Sequence, residues 1–250
     1  MSTLDRIIVL GDSYTFGHGC SDRIYYYDED LKKFVGDITP MQQCIPSEYC
    51  WPALLQKEFP NLKIFNLSQP GHCNPGMFRD LSEFYFKNGH KSNDLVIFNG
   101  TFPDRIEVKT MYTDDEIGSW SIKWEYMSGG QDFKEYISAQ KEYTKHLYHE
   151  KIGINLTLSS LFSIHGYTTV NRHNFLYSMP DYLLKTLQRH VEPLSKYNIP
   201  PIHNYDFSSE NNYQFNITCQ AKDTHTNERG HEIYYEKEIK PRIEKFISKQ

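Results

Sequence analysis

Arg6-Ile7-Ile8-Val9-Leu10-Gly11-Asp12-Ser13 is the stretch on which the fold turns. Its apolar run is short and continuous and ends at a glycine, as a strand buried on both faces does. Two further runs read the same way. Leu62 to Leu67 ends in Ser68-Gln69-Pro70-Gly71, and Asp94 to Phe98 ends at Asn99-Gly100. Between the first two, Trp51 to Phe59 has amphipathic helical spacing, with Pro52 in its first turn and Pro60 as its stop. Between the second and third, residues 75–88 space Met77, Phe78, Leu81, Phe84 and Tyr85 at helical intervals. Strands alternating with helices of this length imply parallel βαβ units, hence an α/β fold. In such sheets ligands bind beyond the carboxyl ends of the strands, so the three glycine-containing loops are where chemistry belongs.

The rest of the chain extends the pattern. Residues 110–130 break the rhythm with Tyr112, Trp120, Trp124 and Tyr126 among polar residues, and are read as an inserted excursion over the sheet, a candidate lid. Residues 131–164 read as one long helix or two, with Gly153 as a possible break. Tyr167 to Val170 is expected to be a fourth strand, followed by a helix from Pro180 to Tyr197. A last helix is expected from Asn227 to Ile247, kinked or split at Pro241. No repeat or composition shift marks a boundary, so residues 1–250 are read as one domain.

Composition excludes several classes. Charged residues are 24% and the net charge is −5, which argues against binding nucleic acid through whole-surface charge. No apolar run approaches the roughly 18–20 residues of a membrane span, and mean hydropathy is −0.65. Met1 to Arg6 lacks the basic stretch and apolar core of a secretion signal, and five irregularly spaced cysteines do not form a disulfide framework. A cytoplasmic setting is expected, with no nucleic-acid or membrane partner. Aromatics reach 15%, mostly as 19 Tyr and 15 Phe, and gather outside the strand runs, at Tyr25 to Tyr27 and across 112–148. These rings are expected to border a cleft.

Two loops carry candidate chemistry. In Gly11-Asp12-Ser13-Tyr14-Thr15-Phe16-Gly17-His18-Gly19, a serine follows a buried strand and can present its hydroxyl on a sharp turn. Thr15 stands where a G-x-S-x-G elbow would have its second glycine, and a serine N-cap is the plain alternative. Near the other end, Asp223-Thr224-His225-Thr226-Asn227 precedes the last helix. His225 can act as a base for Ser13, with Asp223 holding its tautomer. The plain alternative is a polar loop with Thr226 as helix cap and His231 on the helix surface.

Gly-Asp-Ser after the first strand, with Asp-x-His ahead of the last helix, resembles the SGNH (GDSL-type) hydrolase superfamily. Gly71 falls where that family places an oxyanion glycine, and Asn99-Gly100-Thr101 where it has a Gly-x-Asn-Asp block. The resemblance implies a three-layer, flavodoxin-like α/β/α fold with a parallel central sheet. It also implies a serine esterase or related acyl-transferring enzyme acting on a small-molecule or glycan ester, with no metal or organic cofactor. Ser13, Asp223 and His225 would be catalytic. Ser13 and Gly71 would hold the oxyanion, with Asn99 or Thr101 as candidates for the side-chain donor. Asp12 and Asn74 are expected to contact substrate. A small acyl ester, such as an O-acetyl group on a carbohydrate, is the favoured substrate. The alternatives are a non-catalytic carbohydrate-binding module and an O-acyltransferase.

The pattern departs from the family at two points. Asp223 is two residues before His225, where the family usually has three, and position 222 is Lys. Asn99 is one residue early, and Gly100 to Glu107 looks like the third block of phage-type members, in which an arginine follows. Metal readings are weaker: His146 and His149 are three apart on an expected helix, and His18, Cys20, His72 and Cys73 read better as cleft lining.

Overall fold

The computed structural model describes residues 4–28, 30–37, 39, 43–109, 117–121, 138, 142, 149–202 and 225–248. Four strands, β1 (Arg6–Leu10), β4 (Lys63–Asn66), β5 (Leu95–Asn99) and β8 (Asn174–Ser178), form one parallel sheet in the order β4-β1-β5-β8. The order reverses direction at β1, which places a crevice beyond the carboxyl ends of β1 and β5. Strand periodicity then sorts the side chains. Ile7, Val9, Leu95, Ile97 and Leu176 pack on one face against α2 (Trp51–Glu58), α6 (Glu228–Tyr234) and α7 (Lys240–Ser248). Ile8, Leu10, Val96, Phe98, Phe175 and Tyr177 pack on the other against α3 (Asn74–Asn88), α4 (Glu150–Val170) and α5 (Asp181–Val191). Both faces are covered, which is why the strands read as unbroken apolar runs rather than alternating ones. The architecture is the expected three-layer α/β/α.

Two expectations about the second half are corrected. Tyr167 to Val170 is the last turn of α4, not a strand. The Thr168 and Thr169 hydroxyls both donate to the His165 carbonyl at 2.8 Å, the helical back-bond that threonine can make despite its β-branch. Val170 is 82% exposed, where a central strand would bury it. Arg172 then turns the chain at φ 59°, and the fourth strand is β8. Gly153 does not break a helix either: it lies inside α4, buried, and its carbonyl accepts from the Thr157 hydroxyl at 2.9 Å.

The last helix is interrupted as Pro241 requires. A π-helical turn, Tyr235–Ile239, separates α6 from α7 just before the proline, which has no N–H for the ladder. The fifth helix is likewise followed by a 3₁₀ stretch, Glu192–Tyr197, that begins around Pro193. Two antiparallel hairpins stand apart from the main sheet: β2 (Tyr25–Asp28) with β3 (Lys33–Gly36), and β6 (Arg105–Lys109) with β7 (Ile117–Ser121). The second falls at the expected excursion; most of 110–130, and the lid assigned to it, lies outside the described residues. Among the described residues no helix is long and apolar enough to cross a membrane.

Candidate active site

Each of the first three sheet strands ends in a loop that feeds the crevice. After β1, Asp12 caps a one-turn helix, α1 (Ser13–Phe16), accepting from the Tyr14 N–H at 3.1 Å. Ser13 is therefore the first helical residue, and the cap belongs to Asp12. Gly11 permits the tight entry, because a Cβ there would collide with the Thr15 side chain. Gly17 closes the turn at φ 87°, with its N–H on the Ser13 carbonyl.

From the far end of the chain, His225 brings Nε2 to 3.1 Å from Ser13 Oγ. Its ring stacks on His18 at 4.2 Å between centroids and 17° between planes, and tilts against Tyr14 at 4.8 Å. The residues just after it are firmly placed. Asn227, not Thr226, caps α6 by accepting from the Gly230 N–H, and Glu228 Oε1 accepts from the Ser21 N–H. Burial alone would raise the Glu228 carboxyl, but the Ser21 hydrogen bonds outweigh it and hold the group below its ordinary range. His231 is fully buried, in contrast to the surface position expected for it, and its Nδ1 accepts from the Trp51 N–H at 3.2 Å. Asp223 lies outside the described residues.

On the opposite side, Gly71 takes φ 74°, and a Cβ added there would meet nothing within 4 Å. Thr101 follows β5. Its hydroxyl donates to Asp12 Oδ2 at 2.7 Å and accepts from Arg105 Nη1 at 2.8 Å. Arg105 Nη1 also lies 2.9 Å from Asp12 Oδ2 and 3.3 Å from the His72 carbonyl. Asn74 brackets the Thr101 backbone, accepting from its N–H at 2.8 Å and donating to its carbonyl at 3.1 Å. Asn99 turns away: its amide donates to the Leu10 carbonyl and accepts from the Ser178 hydroxyl. Thus Ser13, His225, Asp12, Thr101 and Asn74 converge on one sheet edge, while Asn99 ties β5 to its two neighbours.

No protein-family profile and no curated protein sequence matches this chain. Solved structures do. The psychrotrophic esterase EstA from a Pseudoalteromonas species aligns over 98% of this chain and 99% of its own, with a TM-score of 0.52 at 11% identity. A protein assigned to the G-D-S-L lipolytic family, from Desulfitobacterium hafniense, aligns over 92% and 95% at 8% identity, TM-score 0.48. An extracellular lipase from Streptomyces rimosus aligns over 91% and 94% at 12% identity, TM-score 0.47. This chain shares the α/β fold of the EstA esterase.

Within this fold, the serine and histidine loops supply a hydroxyl hydrogen-bonded to an imidazole, a pair able to exchange a proton. The residue that sequence reasoning left without a role is Arg105. The signal was its place directly after the third strand's loop, but nothing in spacing says that its guanidinium folds back to Asp12. Burial disfavours the thiolate at the nearby cysteines, pushing Cys20 well above the ordinary thiol range and Cys50 up to about 12. His72 instead pairs with Asp80 at 3.1 Å. Among the described residues no group of three or more His, Cys, Asp or Glu could hold a metal ion. His149 caps α4, and His146 lies outside the described residues.

Proposed function

We propose that this protein is a serine-dependent carboxylic ester hydrolase, with Ser13 as nucleophile, His225 as base and Asp223 as the acid that orients the imidazole. The observation that supports it most is the 3.1 Å approach of His225 Nε2 to Ser13 Oγ across 212 residues of sequence, at the ligand-binding edge of an SGNH fold.

In this reading Ser13 Oγ attacks the ester carbonyl carbon while Nε2 takes the hydroxyl proton, and the carbonyl electron pair moves onto oxygen. The Ser13 and Gly71 N–H groups hold that oxyanion. Its collapse expels the alkoxide, which leaves with the proton from His225. Water then attacks the acyl-serine by the same path and releases the acid. The steps call on no metal or organic cofactor. The favoured substrate is a short acyl ester, an O-acetylated carbohydrate in particular. Its support is compositional: rings gathered away from the sheet strands can stack on sugar faces.

The test is hydrolysis of p-nitrophenyl acetate and butyrate by wild type, Ser13→Ala and His225→Ala, with a serine-directed phosphonate as label. Each substitution should cost about 10³-fold or more in kcat, and the phosphonate should label Ser13 only in wild type. A wild-type rate no higher than that of Ser13→Ala, with no labelling, would leave the binding-module reading in its place. Acetate release from acetylated oligosaccharides, compared with the aryl esters, tests the carbohydrate preference.

A further inference from the structure

An ester carbonyl that becomes tetrahedral at Ser13 is stabilised by every donor aimed at its oxygen, and a side chain adds to the two backbone N–H groups only if its donors are unspent before substrate arrives. Counting donors around the crevice leaves few. The single Thr101 hydroxyl proton is committed to Asp12 at 2.7 Å. Both Asn74 amide hydrogens are used, on the Thr101 carbonyl at 3.1 Å and the Thr157 hydroxyl at 3.0 Å. Asn99 donates one amide N–H to the Leu10 carbonyl and its oxygen accepts from the Ser178 hydroxyl, which together hold the side chain between β1 and β8.

Arg105 is different. Its three hydrogen-bond partners, Asp12 Oδ2, Thr101 Oγ1 and the His72 carbonyl, all engage Nη1. Nε is buried with no hydrogen-bond partner among the described residues. Nη2 takes part in none of the contacts that anchor the group. The guanidinium thus sits between Asp12, which precedes Ser13, and His72, which follows Gly71. These are the two segments whose N–H groups face the developing oxyanion in the proposed reaction.

We propose that Arg105 is a catalytic residue that supplies the third oxyanion donor, in place of an asparagine side chain. Resting on the ester-hydrolase reading, it assigns a role that Thr101 cannot fill with its proton on Asp12, and from which Asn99 is held back by Leu10 and Ser178. Asp12 and Thr101 then become positioning residues: they hold Nη1 and leave the remaining N–H groups for the substrate oxygen. A charged donor also makes a stronger hydrogen bond to an anion than a neutral amide does.

The experiment compares wild type, Arg105→Lys and Arg105→Ala on p-nitrophenyl acetate and on its thiono analogue, in which sulfur replaces the carbonyl oxygen. Circular dichroism confirms folding, and Arg105→Lys stands in if Arg105→Ala unfolds. Loss of the donor should lower kcat by about 10²–10³-fold, with KM changed far less and guanidinium in the buffer restoring part of the rate. It should also shrink the wild-type preference for the oxygen over the sulfur ester, because the lost bond goes to that atom. A folded variant that keeps the wild-type kcat overturns the inference. So does one that loses rate while keeping the full oxygen-over-sulfur preference, since Arg105 would then act only on loop order. A wild-type enzyme inactive on both esters and unlabelled by phosphonate would instead overturn the ester-hydrolase reading itself.

Discussion

His231 shows how one side chain can link the histidine loop to the core. The ring accepts the Trp51 N–H through Nδ1, which puts the proton of the neutral ring on Nε2. Burial pushes its pKa down to about 3. The unfolded chain therefore binds a proton near pH 6.5 that the folded chain refuses until far lower pH. Stability falls as pH drops through that window, by at most about 1.4 kcal/mol per pH unit from this group. His231→Gln keeps an acceptor for Trp51 but does not titrate. Urea unfolding at pH 7 and pH 5 should show a shallower acid loss in the variant than in wild type. Equal losses would mean that another histidine governs the acid limb. Sequence alone placed His231 on a helix surface, because its burial depends on α2 packing against α6.

Glycines at the element ends separate strain from crowding. Gly17 and Gly71 both adopt positive φ, which costs a side-chain-bearing residue about 1–2 kcal/mol. At Gly17 a Cβ would also sit 2.6 Å from Ser47 Cβ and 2.8 Å from Cys50 Cβ, whereas at Gly71 it would meet nothing. Gly17→Ala should cost about 2–4 kcal/mol and Gly71→Ala only the backbone part, as read by urea midpoints. Equal losses would contradict the crowding argument. The elements themselves were legible where burial imposed a simple pattern, as in β1, β5, α2 and α3. Tyr167 to Val170 was not, because β-branched residues suit a strand as well as a helix end. There the Thr168 and Thr169 back-bonds to His165, and the pairing of Asn174–Ser178 with β5, made the choice.

At the scale of the whole molecule, Arg6 and Asp94 join the starts of β1 and β5 at the end of the sheet opposite the crevice. The guanidinium donates to both carboxylate oxygens, at 2.8 and 2.6 Å, and to the Gly89 carbonyl beyond α3 at 2.8 Å. Both side chains are nearly or wholly buried. The hydrogen bond to Asp94 raises the Arg6 pKa against the burial that would lower it. Arg6→Met should cost about 3–5 kcal/mol, because it strands a buried carboxylate, while Arg6→Met with Asp94→Leu should recover much of the loss. Thermal unfolding of the three proteins checks this. A double variant no more stable than the single would show that the Gly89 contact, not the charge, matters.

Arg6 to Ser13 by itself determined a buried parallel strand ending in a loop with a candidate nucleophile, because a strand covered on both faces must be apolar and must stop where the backbone turns. The Asp223 to Asn227 segment offered a histidine of suitable chemistry by the same local reading. Which donors stay free was decided only by the tertiary structure. Thr101 and Asn99 are plausible oxyanion donors in sequence, yet one spends its proton on Asp12 and the other faces Leu10 and Ser178. Arg105 gains its place through a carboxylate 93 residues away. A hydrogen bond consumes a donor, and sequence spacing does not record where each donor has been consumed.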